Sequence, residues 1–414
     1  MKENSFEEIR KMADSAFSQG DFASALEFYK KCLDYEQTPL LLNRIGYVIG
    51  KTDCEDKFLS QIKYFKKALE IDENYVPAIR NLALTSQEVC KYKEAEEYFK
   101  KLLELNPIPD DIFAYSCLKI RLGDFEKGWK FYDTRFSKQF DKTFYPEFEK
   151  PIWRGENLKN KTILVHFEQG FGDSIMFFRY VKQLKNLAKK VLFKVQDELF
   201  ELFSKSDDEI EFTKSSNALK DLIFDFHSPL MSLPHLLKAE VSNIPFAEGY
   251  LFADIEKINF YKRNYFNTEK IKIGFSWQGA HLGKQNRNIP LKFFVPLSEL
   301  KNVKLYSFQK NVDLGEFNAV DLGKTFEDFS DTAAAMKNLD IFITSDNSLL
   351  NLAGALGVKT YLLLQKNAEW RWMQDEKKTP WYSSVKIFRQ KTFDETWADI
   401  FERIGKDLVQ NFNL

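Results

Sequence analysis

Two turns in this 414-residue sequence carry residue types that could do chemistry. The first contains Gly170, Gly172 and Asp173, between a short apolar run (162–167) and a segment of helical length. Glycine permits a tight turn and lets a substrate approach the backbone closely, and Asp173 or Ser174 can cap the helix that follows. Because strand–glycine–helix turns recur in every α/β fold, a plain helix cap is the alternative role for Asp173.

The second turn lies in the segment FITSDNSLLNLAGALG, where Asn347, Ser348 and Leu349 begin a predicted helix. The first N–H groups of a helix have no intrahelical partner, and the helix dipole is positive at that end. Both properties attract phosphate. We therefore predict an anion site at these three residues, and the alternative is that Asp346 and Ser348 only cap the helix.

The first 140 residues predict no strand, and their pattern indicates paired amphipathic helices that repeat. Small, aromatic and apolar residues recur at a fixed spacing, as in Ala95, Phe99 and Leu102. This spacing resembles the tetratricopeptide repeat, whose period is about 34 residues. Arrays of such repeats commonly bind peptides or partner proteins, and they also serve as packing spacers. The clearest second helices are predicted at 20–33, 60–72, 91–107 and 123–136.

After an aromatic-rich connector, short apolar runs alternate with helix-length segments, which predicts parallel sheets in an α/β arrangement. Two blocks of this kind would enclose a ligand cleft at the carboxyl ends of their strands. The predicted domains are a repeat array at 1–140, a connector at 141–158, a first lobe at 159–265 and a second lobe at 266–414.

The composition excludes several classes of function. Sixty Lys and Arg residues against 61 Asp and Glu residues give a net charge of -1, which argues against binding of nucleic acid or of a membrane surface. No apolar run approaches the ~18 residues of a spanning helix, so we expect no transmembrane segment. Cysteines without C-x-x-C spacing predict reduced thiols, and scattered histidines argue against a zinc site. With no leader pattern at Met1, we expect a soluble, cytoplasmic protein without metal or cofactor.

Several segments, taken together and in order, resemble one family: bacterial tetratricopeptide-repeat proteins with a heptosyltransferase-like GT-B glycosyltransferase domain. The architecture is also similar to that of protein O-glycosyltransferases, including flagellin-modifying ones. The resemblance implies an α plus α/β chain, in which a helical array precedes a GT-B fold of two Rossmann-like lobes. The segments that carry it are GDFEKGWKFYDTRF, EQGFGDSIMFFRY, SPLMSLP, GFSWQGAHLGKQNRNIPL, SFQK, SDNSLLNLAGALG, WRWM and PWY.

The resemblance also implies a mechanism. Asp173 matches the position of the general base, which would deprotonate an acceptor hydroxyl as that hydroxyl attacks the anomeric carbon and inverts it. Such enzymes use no metal, in agreement with the absence of a D-x-D triplet from this sequence. Arg287 matches the cation that would neutralise the departing diphosphate, together with the backbone amides at 347–349. Glu168 is a second candidate base.

Other residues take less specific roles from the same resemblance. Gln309 and Lys310 would touch the base, ribose or phosphate of the donor, or lie in a solvated loop. Asp346 would bind sugar hydroxyls or order its turn. Trp277 and Trp370 would stack on the sugar or base, although burial is the default for tryptophan.

Two further positions bear on the acceptor and on catalysis. His227 lies on the acceptor side of the family pattern, and a structural role is favoured for it. Asn351 stands where the family usually has His, and Asn cannot carry a charge. This departure predicts either an altered donor or a domain that has lost catalysis.

The leading hypothesis is therefore an inverting, metal-independent glycosyltransferase that moves a sugar from a nucleotide-sugar donor to a protein or peptide recruited by the repeats. One alternative is an interaction scaffold with a non-catalytic α/β region, and another is a glycan or lipopolysaccharide acceptor. Exposed aromatic and Asn side chains on the repeats would favour peptide, whereas a basic pocket of sugar size would favour glycan. The amphipathic C-terminal helix is expected to return to the first lobe.

Overall fold

The computed structural model describes residues 2–52, 56–137, 148–218, 222–279, 287–375 and 377–412. The chain divides into two compact units, Met1–Gln139 and Phe140–Leu414. Part of the predicted connector, residues 141–147, lies outside the described residues.

The first unit is helical, and its helices pack as four consecutive antiparallel pairs. Several helices begin at the signals expected from sequence, because Pro39 and Pro109 occupy first helical positions and Asp21 caps the helix after it. The helices are α1 (Lys2–Ser18), α2 (Phe22–Cys32), α3 (Pro39–Ile49), α4 (Lys57–Ile71), α5 (Val76–Glu88), α6 (Tyr92–Leu105), α7 (Pro109–Arg121) and α8 (Phe125–Tyr132).

The packing explains the repeated spacing of small and aromatic residues. Ala95, Phe99 and Leu102 of α6 are all fully buried between the helices. At Gly46 of α3, a β-carbon would lie 2.5 Å from the ring of Phe65, so only glycine fits against that aromatic residue. The predicted helical repeats are confirmed, and the predicted second helices correspond to α2, α4, α6 and α8.

The second unit contains ten strands and eight helices among its described residues. The strands are β1 (Thr162–His166), β2 (Lys190–Val195), β3 (Ile210–Lys214), β4 (Phe226–Pro229), β5 (Ile271–Ser276), β6 (Val303–Ser307), β7 (Val320–Asp321), β8 (Ile341–Ser345), β9 (Thr360–Leu364) and β10 (Val385–Arg389). The helices are α9 (Phe171–Leu184), α10 (Phe200–Ser206), α11 (Leu233–Leu236), α12 (Ile255–Tyr265), α13 (Val295–Ser298), α14 (Phe329–Met336), α15 (Ser348–Ala355) and α16 (Trp397–Phe412).

The strands form two parallel sheets, one in each lobe. The first has the order β3-β2-β1-β4 and the second the order β10-β9-β8-β5-β6-β7. Counted within each lobe, the orders are 3-2-1-4 and 6-5-4-1-2-3. The second, read from its other edge, is the Rossmann order 3-2-1-4-5-6, and the first is the part of that order formed by four strands. The predicted pair of α/β lobes is therefore confirmed. Ligands of such sheets bind at the carboxyl ends of the strands where the order reverses, between β1 and β4 and between β5 and β8.

Two helices pack differently from their predicted assignment. α12, placed in the first lobe by the predicted boundary, packs against α14, and Lys257 lies 2.7 Å from Asp331 there. The prediction that the C-terminal helix returns to the first lobe is wrong, because the apolar face of α16 is buried in the core of the second lobe through Ile400, Phe401 and Ile404. None of the helices that the structure describes is long and apolar enough to span a bilayer.

Candidate functional site

Asp173 lies in the first turn of α9, directly after the carboxyl end of β1. The N–H of Gly170, the N-cap residue, donates to Oδ2 of Asp173 over 3.1 Å. The turn owes its left-handed residue to Gln169 at φ 63°, whereas Gly170 has φ -87°. The expectation that Gly170 makes the turn through glycine's conformational freedom is therefore wrong.

Gly172 is needed for a close approach between the two lobes. A β-carbon at this position would lie 2.9 Å from Nδ2 of Asn351 and 3.5 Å from Cα of Ser348. The missing side chain thus makes room for the first turn of α15. We expected it to make room for substrate, but in this structure protein atoms of α15 occupy that space. The first turns of α9 and α15 consequently meet where the two sheets present their carboxyl ends.

Asp173 is paired across the lobes with Arg371, which the sequence analysis did not single out. Nη2 of Arg371 donates to Oδ1 of Asp173, and the two side chains are 15% and 14% exposed. Burial raises the pKa of Asp173, while the guanidinium of Arg371 acts to lower it. A carboxylate with a raised pKa that remains partly accessible is suited to accept a proton. In the sequence, Arg371 belongs to WRWM, one of the segments that carry the family resemblance, but that segment by itself gives no role to its arginine.

The start of α15 is arranged differently from the predicted anion site. Oδ1 of Asn347 accepts hydrogen bonds from the N–H groups of Leu349 and Leu350, at 3.0 and 3.2 Å. The expectation of a free Leu349 amide is wrong in this structure, because the N-cap side chain satisfies it. Nδ2 of Asn347 donates to Ser276 Oγ and to Thr344 Oγ1, which ties the cap to β5 and β8.

Arg287 and Asp346 are brought together at the carboxyl end of β8. Nη1 of Arg287 lies 3.3 Å from Oδ2 of Asp346, and their side chains are 21% and 11% exposed. Both residues line a narrow crevice with Glu369 and the end of β9, and Ser348 is not among its lining residues. Arg287 and Asp346 thus share a crevice at the strand switch point of the second lobe, although Ser348 does not join them.

The predicted donor-binding residues after β6 differ in their environment. Oε1 of Gln309 accepts from the backbone N–H groups of Trp277 and Gln278, at 3.3 and 3.0 Å, so Gln309 braces the loop after β5. Lys310 is exposed to solvent. Trp277 and Trp370 are 4% and 8% exposed, as expected for tryptophans that pack in the core.

The two remaining candidates of the first lobe are packed into it. Glu168 is fully buried, and its Oε1 accepts from the N–H of Met231 over 2.6 Å. The rings of His227, Phe148 and His166 form a cluster of tilted pairs, in which the centroid of His227 lies 4.1 Å from that of Phe148 and 5.6 Å from that of His166. Burial lowers the pKa of His227 to about 4, so it is neutral at physiological pH. These contacts fit the structural role favoured for His227.

Asn351 belongs to a buried network between the lobes. Its Oδ1 accepts from the hydroxyl of Tyr382 over 2.9 Å, and its Nδ2 lies 3.4 Å from the carbonyl of Asn347. The Tyr382 hydroxyl is in turn 3.5 Å from that of Tyr250, which accepts from the buried Arg179. Asn351 therefore orients the Tyr382 hydroxyl, which in turn approaches Tyr250 of the first lobe.

A family model for the tetratricopeptide repeat matches residues 11–39 and 81–109. Protein FlbA of Caulobacter vibrioides is 22% identical over an alignment of 429 positions that covers 93% of this chain and 70% of FlbA. A glycosyl transferase family 9 structure from Veillonella parvula aligns with 62% of this chain and 98% of its own, at 13% identity and a TM-score of 0.48. The E. coli ADP-heptose lps heptosyltransferase II aligns with 61% of this chain and 99% of its own, at 11% identity and a TM-score of 0.46.

The helical pairs of the first unit and the match of the family model identify that unit as an array of tetratricopeptide repeats. In the second unit, two parallel sheets with Rossmann strand order meet through the first turns of α9 and α15. The chain therefore combines tetratricopeptide repeats with a domain of the GT-B fold.

Proposed function

We propose that this protein is an inverting glycosyltransferase that moves a sugar from a nucleotide-sugar donor to a hydroxyl group of a protein acceptor. The observation that carries the proposal is the placement of charged residues at both strand switch points. Asp173 follows β1 of the first lobe. Asp346 follows β8 of the second lobe, and Arg287, which lies after β5, pairs with it. An acid–base group and a phosphate-binding cation on opposite lobes are what single-displacement sugar transfer needs.

In the proposed reaction, the carboxylate of Asp173 takes the proton of the acceptor hydroxyl while the oxygen forms a bond to the anomeric carbon. The bond from that carbon to the diphosphate breaks, and its electron pair leaves with the nucleoside diphosphate. Arg287 would exchange Asp346 for phosphate oxygens when the donor binds, since an arginine can bind two such oxygens at once, and would stabilise the diphosphate as it leaves. Inversion follows from one displacement, and no residue is covalently modified.

Features of the repeat array support a peptide acceptor. A cavity of about 270 Å³ lies among α1, α2 and α3. Phe17 and Tyr47, which line it, are 37% and 41% exposed. Asn43 lies in the same cavity and accepts a hydrogen bond from Asn81 of the next repeat over 2.9 Å. Because aromatic residues are enriched at protein interfaces, exposed rings of this kind suit an extended peptide.

We also propose a cytoplasmic location, because a chain of this length whose four cysteines show no disulfide framework is typical of a reducing compartment.

A second candidate function is an interaction scaffold whose α/β domain does not catalyse transfer. Two observations favour it: Asn347 already occupies the amides of Leu349 and Leu350, and Arg287 is already paired with Asp346. A donor would have to displace these internal partners before it could bind.

A thermal-shift screen of the full chain against UDP-, GDP-, ADP- and CMP-linked sugars separates the two functions. A ligand that binds only the folded state raises the melting temperature by mass action. We expect one nucleotide class to raise it, and to do so less strongly in an Arg287→Met variant. The scaffold function would be preferred if none of the four classes changed the melting temperature.

The role of Asp173 is tested by Asp173→Asn. Asparagine retains an oxygen for the Gly170 N–H but cannot accept the proton, so turnover should fall by about 10²–10⁴-fold. The thermal shift by donor should remain, because donor binding is assigned to the other lobe. Asp197→Asn is the control, since Asp197 of the same lobe bonds to Ser215 and Ser216. Full turnover in Asp173→Asn would remove Asp173 from the mechanism.

A further inference from the structure

Arg371 is fixed by residues of its own lobe. Glu369 accepts hydrogen bonds from the backbone N–H of Arg371, at 3.0 Å, and from its guanidinium, at 2.5 Å. The guanidinium lies over the ring of Trp370, 4.3 Å from the centroid. The carbonyl of Arg371 accepts from Nε1 of Trp381 over 2.7 Å. Both the main chain and the side chain of Arg371 are therefore held before any ligand arrives.

The guanidinium that is fixed in this way reaches across to the first lobe. Its Nη2 donates to Oδ1 of Asp173 and lies 3.4 Å from Oε1 of Gln169. The other carboxylate oxygen of Asp173 accepts from the N–H of Gly170. Donors on both oxygens define the orientation of the carboxylate, which still has further lone pairs to offer, since an ionised carboxylate accepts about four hydrogen bonds.

We propose that Arg371 is a positioning residue for the base, which orients the Asp173 carboxylate and stabilises its ionised form. This inference rests on the proposed function, because it assigns Arg371 a part in the same reaction. The physical need is clear from burial: a buried carboxylate without a cation takes up a proton and ceases to be a base. Glu369 keeps the charge of Arg371 balanced while leaving Nη2 directed at Asp173.

The competing explanation is that the ion pair only fastens the two lobes together. A fastening would lower stability when Arg371 is removed but would leave the pH dependence of turnover unchanged, because turnover would not depend on the ionisation of Asp173. A positioning residue instead changes the pH at which Asp173 ionises, because an arginine next to an aspartate lowers its pKa by about 1–3 units.

The first experiment compares pH profiles of turnover in Arg371→Met and in wild type. The substrate is the nucleotide sugar that gives the largest thermal shift, and its transfer or its hydrolysis is measured. We expect the acid limb of kcat to move up by about 1–3 pH units, with KM for the donor unchanged within about twofold. Arg371→Lys should restore most of the wild-type profile, because it keeps the positive charge. An acid limb at the wild-type pH in Arg371→Met would overturn the proposal.

Arg403→Met is the matched control for this experiment. Arg403 lies in α16 of the same lobe and forms an ion pair with Glu395 at 2.8 Å. Its removal deletes an arginine from an ion pair without touching Asp173, so the pH profile should stay as in wild type. A shifted acid limb in this control would attribute the change to general loss of charge and would also overturn the proposal.

The second experiment needs no activity. Melting temperatures of wild type, Arg371→Met, Asp173→Asn and the double variant are measured from about pH 5 to about pH 8. Without Arg371, the folded-state pKa of Asp173 rises further above the unfolded value of ~3.9, so stability is lost over a wider range as the pH rises. The loss caused by Arg371→Met should therefore be larger at high pH and shrink as the pH falls.

In the Asp173→Asn background, the cost of the same Arg371 substitution should depend less on pH, because Asp173 no longer titrates and Glu369 is present in both backgrounds. A loss that is independent of pH in both backgrounds would overturn the proposal. The two failures are distinguishable: absence of any thermal shift by nucleotide sugars contradicts the proposed function, whereas this cycle tests the coupling of Arg371 to Asp173 directly. If Arg371→Met does not fold, Arg371→Gln takes its place in both experiments.

Discussion

Asp173 shows how several demands converge on a single residue. Its carboxylate closes the first turn of α9 through Gly170 and meets Arg371 from the other lobe. Asparagine would satisfy the cap, and burial alone would favour the neutral acid. The arginine supplies the opposite charge that a carboxylate needs in a setting that is 14% exposed.

His227 gives a prediction at the same scale. Its pKa of about 4 lies below the ~6.5 of an unfolded histidine, so the fold prefers the neutral ring. Its contribution to stability is complete above about pH 6.5 and is lost as the pH falls through that value toward about 4. We expect the free energy of unfolding of the second unit to fall by about 1 kcal/mol between about pH 7 and pH 5, after allowance for the partial exposure of the ring.

The variant that checks this is His227→Phe, which keeps a ring against Phe148. Its loss of stability between the two pH values should be smaller than that of wild type, as measured by urea unfolding. An equal loss in both proteins would mean that groups other than His227 carry the pH dependence.

At the scale of elements, glycines set how closely helices approach their neighbours. Gly172 admits the first turn of α15, and Gly354 within α15 faces the ring of Tyr382. A β-carbon at Gly354 would lie 2.4 Å from Cγ of that ring, which is itself fully buried. The ring cannot move away freely, because its hydroxyl is bonded to Asn351.

Gly354→Ala should therefore lower the free energy of unfolding by about 1–3 kcal/mol, since the cost of overpacking exceeds the helical preference of alanine. Gly405→Ala is the matched control, because Gly405 lies within α16 and, apart from the backbone of its own helix, no atom of the described residues lies within 4 Å of its β-carbon position. There alanine should raise stability by up to about 1 kcal/mol. Denaturant unfolding of both variants checks the sign, and a neutral Gly354→Ala would show that the contact between α15 and Tyr382 is loose.

At the scale of the whole molecule, the proposal divides the work between two units. The repeat array would select the acceptor, and the GT-B domain would bind the donor and carry out transfer. Each unit has its own buried core, so a change on the surface of one need not disturb the fold of the other.

A double substitution of Phe17 and Tyr47 by alanine tests this division. Both rings line the cavity of the repeat array and are partly exposed, so their loss should remove contact area for a peptide without unfolding the array. We expect incorporation of isotope-labelled sugar into acceptor protein to fall at least about tenfold, while hydrolysis of the donor is unchanged. Leu59→Ala, at a residue 57% exposed on α4, is the control. Equal losses of incorporation and hydrolysis would contradict the division.

The sequence by itself determined the elements and their order. The spacing of Ala95, Phe99 and Leu102 predicted helix pairs because side chains three and four residues apart share one helical face. Apolar runs that alternate with helix-length segments predicted parallel sheets, because this alternation is the pattern of βαβ units and can be read from short stretches of sequence. Positions such as Asp173 and Asn347 were recognised as helix starts from their own neighbours in sequence.

Only the tertiary structure decided what those positions contact. Arg371 reaches Asp173 across 198 positions of sequence, and Gly172 serves α15 of the other lobe. The amide of Leu349 is occupied because the side chain of Asn347 turns back onto it while bonding to two strands. Such contacts depend on how separate elements pack, and local periodicity carries no information about which distant side chain fills a given space.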